Sequence, residues 1–309
     1  MRPYSLKNLK QIGIFCCLQS PLFFGIIFFI MGKACAYSMK PLTQAEKEAI
    51  QHTAYRTIAA LAKNTSIPYC REIIQGIIED NKAELVETNS SSSLPYLVEL
   101  RYKTSEQIIR EGGYQQVIEL GAGLTPHALN LKQTVTNYIE VDLEENSRLK
   151  RSLVQGLEPS LTVDYVAGDV FDSHTWSILR SLIKPGLPVA IFAEGFLIYS
   201  SQEQRQFLGE QIRAILAEHE GLFFVEDALR FHPELQRIPK IKQFTIDLTN
   251  RSKNTNYSEA LTQEALTQEW QDLGFIVNRR EPEKKLETVY SREDKEVLDT
   301  LKHWLLCVQ

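Results

Sequence analysis

Residues 115–126 read QQVIELGAGLTP. Val117, Ile118 and Leu120 make a short apolar run, and Gly121-Ala122-Gly123 follow it directly. This order predicts a strand, a sharp turn and a new helix. The glycines let the backbone turn tightly and approach a ligand closely. Thr125 is a good N-cap, and Pro126 suits a first helical turn, where its missing N–H is not needed. A helix opened in this way aims free N–H groups at a ligand. Dinucleotide fingerprints carry a third glycine for close helix–strand packing. Here Pro126 stands instead, so the motif is G-x-G only, and its meaning depends on the neighbouring strands.

Downstream, strand and helix patterns alternate. The strands are QQVIEL, NYIEVDL, LTVDYVA, PVAIFAE and GLFFVED. A helix is predicted over about 201–219, with Ser200 and Glu203 as a capping box and Leu208, Ile212, Ile215 and Leu216 as its apolar stripe. Apolar strands alternating with helices predict a parallel sheet covered on both faces. Residues 43–85 read as helices, opened by a Thr43/Glu46 capping box, and the serine-rich run at 88–95 reads as a loop. LVELRYKTSEQIIREGGYQQ then predicts a short extended piece and a helix ending at Gly112-Gly113. Residues 230–258 are polar and carry Pro233 and Pro239; they are expected to be an insertion covering the substrate. EALTQ occurs twice over 259–268 and reads as one helix before the strand GFIVNRR. A last helix near 290–302 leads to WLLCVQ, a candidate closing strand. The organisation expected is an apolar segment (1–38), a helical cap (39–94) and a core (95–309).

The formal charge of -5 over 309 residues leaves no basic excess for binding nucleic acid. Five cysteines, Cys16, Cys17, Cys35, Cys70 and Cys307, show no zinc-ligand spacing, and no metal site is expected. Cys70 and Cys307 read as free thiols. At the N-terminus, Arg2, Lys7 and Lys10 precede an apolar stretch over 12–31, and Ala34-Cys35-Ala36 follows. Three readings stand: a misassigned start with Met39 as the true one, a membrane anchor, or a cleaved signal. The corresponding locations are cytoplasmic or membrane-anchored.

Ligands of an open parallel sheet bind outside the carboxyl ends of its strands. Those ends carry Glu119, Gly121 and Gly123, then Asp142, then Asp169-Val170, then Glu194. Asp142 follows Gly121 by about 20 residues, the spacing at which an acid meets ribose hydroxyls, and a carboxylate can accept from both of them. This spacing also suits a nicotinamide dinucleotide. Asp169 discriminates better, because a carboxylate after the third strand can accept from an adenine amino group, with Val170 beside it.

As an ordered set, RYKTSEQII, ELGAGLTPHALNL, YIEVDL, GDVFD and AEGFLIYSS resemble the leucine carboxyl methyltransferase family. This is a branch of the class I S-adenosylmethionine (SAM) methyltransferases. The resemblance covers roughly residues 95–230. It implies an α/β, Rossmann-like fold: a mostly parallel seven-stranded sheet with an antiparallel last strand and an N-terminal helical cap. It implies SAM as cofactor and an oxygen acceptor, a carboxylate or hydroxyl of a small molecule or peptide. Arg101 would pair with the SAM carboxylate, Gly121 and Gly123 lie beneath the cofactor, Asp142 holds the ribose, and Asp169 and Val170 lie at the adenine. Glu194 is the acid of the E-G motif. Many members carry Asp-Thr-Arg where this chain has Thr125-Pro126-His127; His127 reads as a helix-surface or packing residue. A carboxylate acceptor needs no general base. For a hydroxyl acceptor, Tyr199 and His232 are the catalytic candidates. The competing readings are a nicotinamide-dependent oxidoreductase and a non-catalytic SAM-binding protein.

Overall fold

The fold follows from which strands are buried on both faces. The computed structural model describes residues 43–80, 94–226, 232–252 and 262–308. The chain parts into two units, Met1–Lys40 and Pro41–Gln309, and every described residue belongs to the second. Residues 1–38 and residues 88–93 of the serine-rich run lie outside the described residues. No described helix is long and apolar enough to cross a membrane.

Among the described residues three helices come first: α1 (Gln44–Asn64), α2 (Cys70–Glu79) and α3 (Pro95–Gly112). The Thr43/Glu46 capping box opens α1. Pro95 stands in the first turn of α3, and Gly113, at φ 65°, closes it. The extended piece expected at 97–100 is absent. Val98 and Tyr102, one helical turn apart, bury in one cluster with α1 and Leu100 in another, so helical spacing serves the packing there and overrides local propensity.

The alternating core comprises β1 (Gln116–Leu120), α4 (His127–Leu131), β2 (Asn137–Asp142), α5 (Glu144–Leu157), β3 (Asp164–Ala167), α6 (Ser173–Leu182), β4 (Val189–Ala193), α7 (Gln202–Glu218) and β5 (Gly221–Glu226). A 3-10 turn at Leu197–Tyr199 precedes α7. The capping box of α7 lies one residue beyond the expected one: Ser201 accepts from Gln204 N–H, while the Ser200 hydroxyl donates to the Leu197 carbonyl at 2.6 Å. Then come α8 (Pro239–Ser252), α9 (Gln263–Asp272), β6 (Phe275–Arg280), α10 (Arg292–Thr300) and β7 (His303–Val308). The stretch expected to be irregular around 239–252 is therefore helical, because Pro239 starts a helix rather than breaking one.

The seven strands lie in the order β3-β2-β1-β4-β5-β7-β6. The first five are parallel, and β7 runs antiparallel to both β5 and β6. One face packs Ile118, Ile139, Ile191 and Phe223 with Trp176, Leu208 and Trp270. The other packs Val117, Phe192 and Phe224 with Ile108, Ile109 and Leu131. Successive side chains of each strand thus feed opposite layers. A third cluster joins α1 and α2 to α5 through Tyr55, Ile58, Ile73, Ile77 and Val154. A remote tie completes the frame: Glu99, fully buried on α3, accepts the N–H groups of Glu287 and Thr288 at 2.7 and 2.8 Å.

Candidate functional site

The strand order reverses between β1 and β4, and there a cleft of about 210 Å³ opens. The glycine loop after β1 forms its floor. Gly121 has φ 66°, and a Cβ there would stand 3.1 Å from the Phe196 ring. Gly123, at φ 52°, donates its N–H to Asp142 Oδ2 at 2.6 Å. Lys150 reaches the same loop from α5, donating to the Ala122 carbonyl at 3.1 Å. Thr125 does not cap the following helix. Its hydroxyl lies 3.2 Å from the Ala122 carbonyl and 3.3 Å from Glu119 Oε1, and Pro126 holds the cap position.

Arg101, Gly121, Gly123, Asp142, Asp169, Val170, Glu194 and Tyr199 all line this one cleft. Asp142 also accepts from Leu143 N–H at 2.7 Å and Asn146 Nδ2 at 3.1 Å, both at Oδ1. Three of its roughly four lone-pair sites are therefore used, leaving about one for a ligand rather than the two expected. Burial raises its pKa, against the opposing donation from Gly123, Asn146 and Leu143. Asp169 accepts Phe171 N–H through Oδ1 at 2.9 Å, which leaves Oδ2 for the cleft. The Val170 carbonyl accepts from Trp176 Nε1 at 2.7 Å, and its side chain is part of the sheet core.

At the far end of the cleft, Arg101 lies beneath Gly195; a Cβ on that glycine would be 3.2 Å from the guanidinium. Arg101 Nε is buried without a hydrogen-bond partner among the described residues. Two acids flank it electrostatically. Burial pushes Glu226 up to about 7, although Arg101 opposes the rise, and Glu226 Oε1 accepts Gly195 N–H at 2.5 Å. Burial would raise Glu194 as well, but His127 and Arg101 outweigh it and hold its pKa down. His127 Nε2 lies 3.2 Å from Glu194 Oε1, and Nδ1 lies 3.7 Å from Glu106 Oε1. His127 is fully buried and stacks on Tyr102 at 4.0 Å, so it packs in the interior rather than on a helix surface. Burial alone would lower its pKa, but Glu194, Glu119 and Glu106 raise it to about 10.

Tyr199 is raised by burial; a hydrogen bond with Thr53 and the charges of Arg101 and Arg56 oppose the rise. It is thus a neutral hydroxyl at neutral pH. His232 does not line the cleft. Its Nδ1 lies 3.0 Å from Glu234 Oε1 and 3.1 Å from Gln263 Nε2, and its ring is buried. Those contacts fix it beside the start of α9, outside the cleft that gathers the other candidates. Sequence reasoning missed two charged groups. Glu226 ends the fifth parallel strand, so the strand-end rule that found Asp142 finds it too. Lys150 carries no such signal: it sits mid-helix and acquires its role only by folding against Glu140, 3.0 Å away, and Glu119, 3.8 Å away.

The profile of the leucine carboxyl methyltransferase family matches residues 44–213. No curated protein sequence matches the chain. Among solved structures, a DUF574 family protein from Streptomyces avermitilis is 15% identical with a TM-score of 0.53, over 86% of this chain and 100% of that one. Two more distant likenesses are the mitomycin 7-O-methyltransferase MmcR and the magnesium protoporphyrin IX methyltransferase ChlM of Synechocystis. MmcR is 10% identical with a TM-score of 0.47, over 76% of this chain and 60% of that one. ChlM is 8% identical with a TM-score of 0.43, over 76% and 97%. These likenesses concern the fold.

The charges under the cleft lead to two predictions. Lys150→Met leaves Glu140 and Glu119 without their shared cation and is expected to cost about 3–5 kcal/mol of stability. An unchanged urea midpoint would contradict this. Glu226 has a folded pKa raised above its unfolded value, so its contribution to stability is present below the unfolded value and lost as pH rises through about 7. Glu226→Gln is therefore expected to gain stability relative to the parent at pH 8 compared with pH 5, on the order of 2–3 kcal/mol. Parallel urea midpoints at the two pH values would refute the assignment.

Proposed function

Because the chain belongs to the leucine carboxyl methyltransferase family, we propose that it transfers a methyl group from SAM to a carboxylate oxygen of its acceptor. The observation that carries this reading is the convergence of Arg101, Asp142, Asp169 and Glu194 on one cleft. The donor set fits the cofactor. Arg101, with its buried, unpartnered Nε, would pair with the carboxylate of the amino-acid tail, a group that guanidinium recognises best. Glu194, held ionised, would receive the tail's ammonium. The remaining acceptor site on Asp142 would take one ribose hydroxyl. Asp169 Oδ2 would accept the adenine amino group, and Val170 would pack at the ring. Family membership removes the nicotinamide reading, which left Asp169 unexplained.

When bound, SAM supplies a methyl carbon made electrophilic by its sulfonium. The chain's part is to hold the acceptor oxygen in line with that carbon. Orientation of this kind supplies about 7–11 kcal/mol at best. The cover of the cleft comes from Ile50 and Arg56 on α1, Leu97 on α3, and Phe244 and Leu248 on α8. The apolar side chains of this cover, with the Arg56 guanidinium among the lining, suit an acceptor with an apolar body and a carboxylate end. A carboxylate with a pKa of about 4 is already ionised at neutral pH, so no proton need be removed. One observation favours a second reading. Glu226 lines the cleft with a pKa near 7, as a general base for a hydroxyl acceptor requires.

Calorimetry with SAM is expected to show binding that weakens about ten- to a hundredfold in Asp142→Ala, the equivalent of about 1.5–3 kcal/mol for a charged hydrogen bond. Equal affinity in the two proteins would defeat the site assignment. Incubation of cell lysate with the enzyme and methyl-labelled SAM identifies the acceptor by mass spectrometry. A methyl ester loses its label as methanol in mild alkali, whereas an ether keeps it. An alkali-stable product would replace the carboxylate reading with the hydroxyl one, and no product at all would favour a binding protein without catalysis.

A further inference from the structure

The methyl-transfer reading leaves one buried charge unused. His127 follows the glycine loop, has no exposed surface, and faces carboxylates from three elements. Glu106 approaches from α3, Glu119 from β1, and Glu194 from the loop after β4. Tyr102 stacks on one face of the ring at 4.0 Å and 13°, and Phe192 meets it edge-on at 5.3 Å. A phenyl ring would satisfy those aromatic contacts. It would not satisfy the carboxylates, since buried acids this close to one another lose their charge unless a cation stands among them.

The other charges nearby are already engaged. Lys150 lies 3.0 Å from Glu140 and 3.8 Å from Glu119, and Arg110 pairs with Glu106 at 3.1 Å. Arg101 acts on Glu194 and Glu226 together. A second buried histidine, His303, lies near Glu194 from β7, but Arg280 and Arg101 act on it as well; burial and those cations push it down to about 4. It is neutral at physiological pH and lends Glu194 no charge. Of the two buried histidines near Glu194, only His127 is positioned as its cation.

Resting on the SAM reading, we propose that His127 is a positioning residue for cofactor binding. Its imidazolium, set between Glu106 and Glu194, keeps Glu194 ionised and aimed at the cleft to receive the ammonium of the cofactor's tail. His127 does not itself touch the cofactor.

The wild-type protein supplies the first test. Nitrogen chemical shifts of its histidine rings are followed from pH 6 to 9, and the His127 signals are assigned through contacts with the Tyr102 ring. Both ring nitrogens of His127 are expected to stay protonated across the range; a neutral ring at pH 8 overturns the proposal without any variant. The second test is SAM affinity by calorimetry over the same range. Without the cation, burial raises the pKa of Glu194 and its charge is lost at lower pH. His127→Gln is therefore expected to bind SAM more weakly at pH 6.5, by about tenfold for a buried carboxyl that titrates one unit above that pH. The ratio of its affinity to that of the wild type then recovers as pH rises; the titrations of Glu226 and of the tail's own amino group act on both proteins and cancel in that ratio. A uniform loss, parallel to the wild type at every pH, would mean that the ring only packs. Wild-type protein that binds no SAM at any pH would fail the functional reading instead, so the two failures are distinguishable. If His127→Gln does not fold, Glu106→Gln serves, and the ring-nitrogen result stands by itself.

Discussion

The cleft depends on the glycine loop being gripped from both sides by charged groups, Lys150 buried and Asp142 half-buried at the cleft wall. Lys150 takes the Ala122 carbonyl, and Asp142 takes the Gly123 amide. A loop of small residues has little side-chain packing to fix it, so its shape has to come from backbone hydrogen bonds. Charged partners make these bonds stronger than neutral ones would. The grip also ties elements together, because Lys150 belongs to α5 and Asp142 ends β2. The loop therefore moves only if the sheet and that helix move with it.

The second constraint is electrical. Glu194 and Glu226 line the cleft together with Arg101, whose charge acts on both, and Glu106 and Glu119 join Glu194 in acting on His127. Four acids in so little solvent do not all stay ionised unaided. The fold distributes cations unevenly, and each acid's charge follows from its share. Glu194 has His127 and Arg101 and stays ionised; Glu226 has only part of Arg101 and titrates near neutrality. Two buried histidines in one site end in opposite protonation states: at His127 three acids outweigh burial, whereas at His303 burial, helped by Arg280 and Arg101, outweighs Glu194.

The features legible in the sequence are those encoded by spacing. Parallel strands buried on both faces read as apolar runs, and the strand-end rule then brings Asp142, Asp169 and Glu194 to one edge. Arg101 was reachable only through family resemblance, because one arginine on a helix before a strand has no spacing rule of its own. Features set by contacts distant in sequence were not legible. Lys150 and the Glu99 tie to residues 287–288 depend on segments brought together only by folding. His232 sits beside a proline in a polar stretch, and nothing local says whether its ring faces the cleft or, as found, Glu234 and Gln263. The one-residue error at the α7 cap has a local cause. Ser200 and Ser201 are equivalent on paper, but the turn at Leu197–Tyr199 engages the first hydroxyl and leaves the second to cap.

All three tryptophans of the chain, Trp176, Trp270 and Trp304, lie in the same layer on one face of the sheet, each 1% exposed or less. None lines the cleft or belongs to α1 or α2. Intrinsic fluorescence is therefore a gauge of that single layer. The N-terminal helices and the glycine loop can loosen while that layer stays packed; of the three indoles, Trp176 alone is tied to a cleft residue, through its hydrogen bond to the Val170 carbonyl. Changes in the N-terminal helices have to be followed through the tyrosines of the other layers, such as Tyr55 and Tyr102, or through a reporter placed on α1.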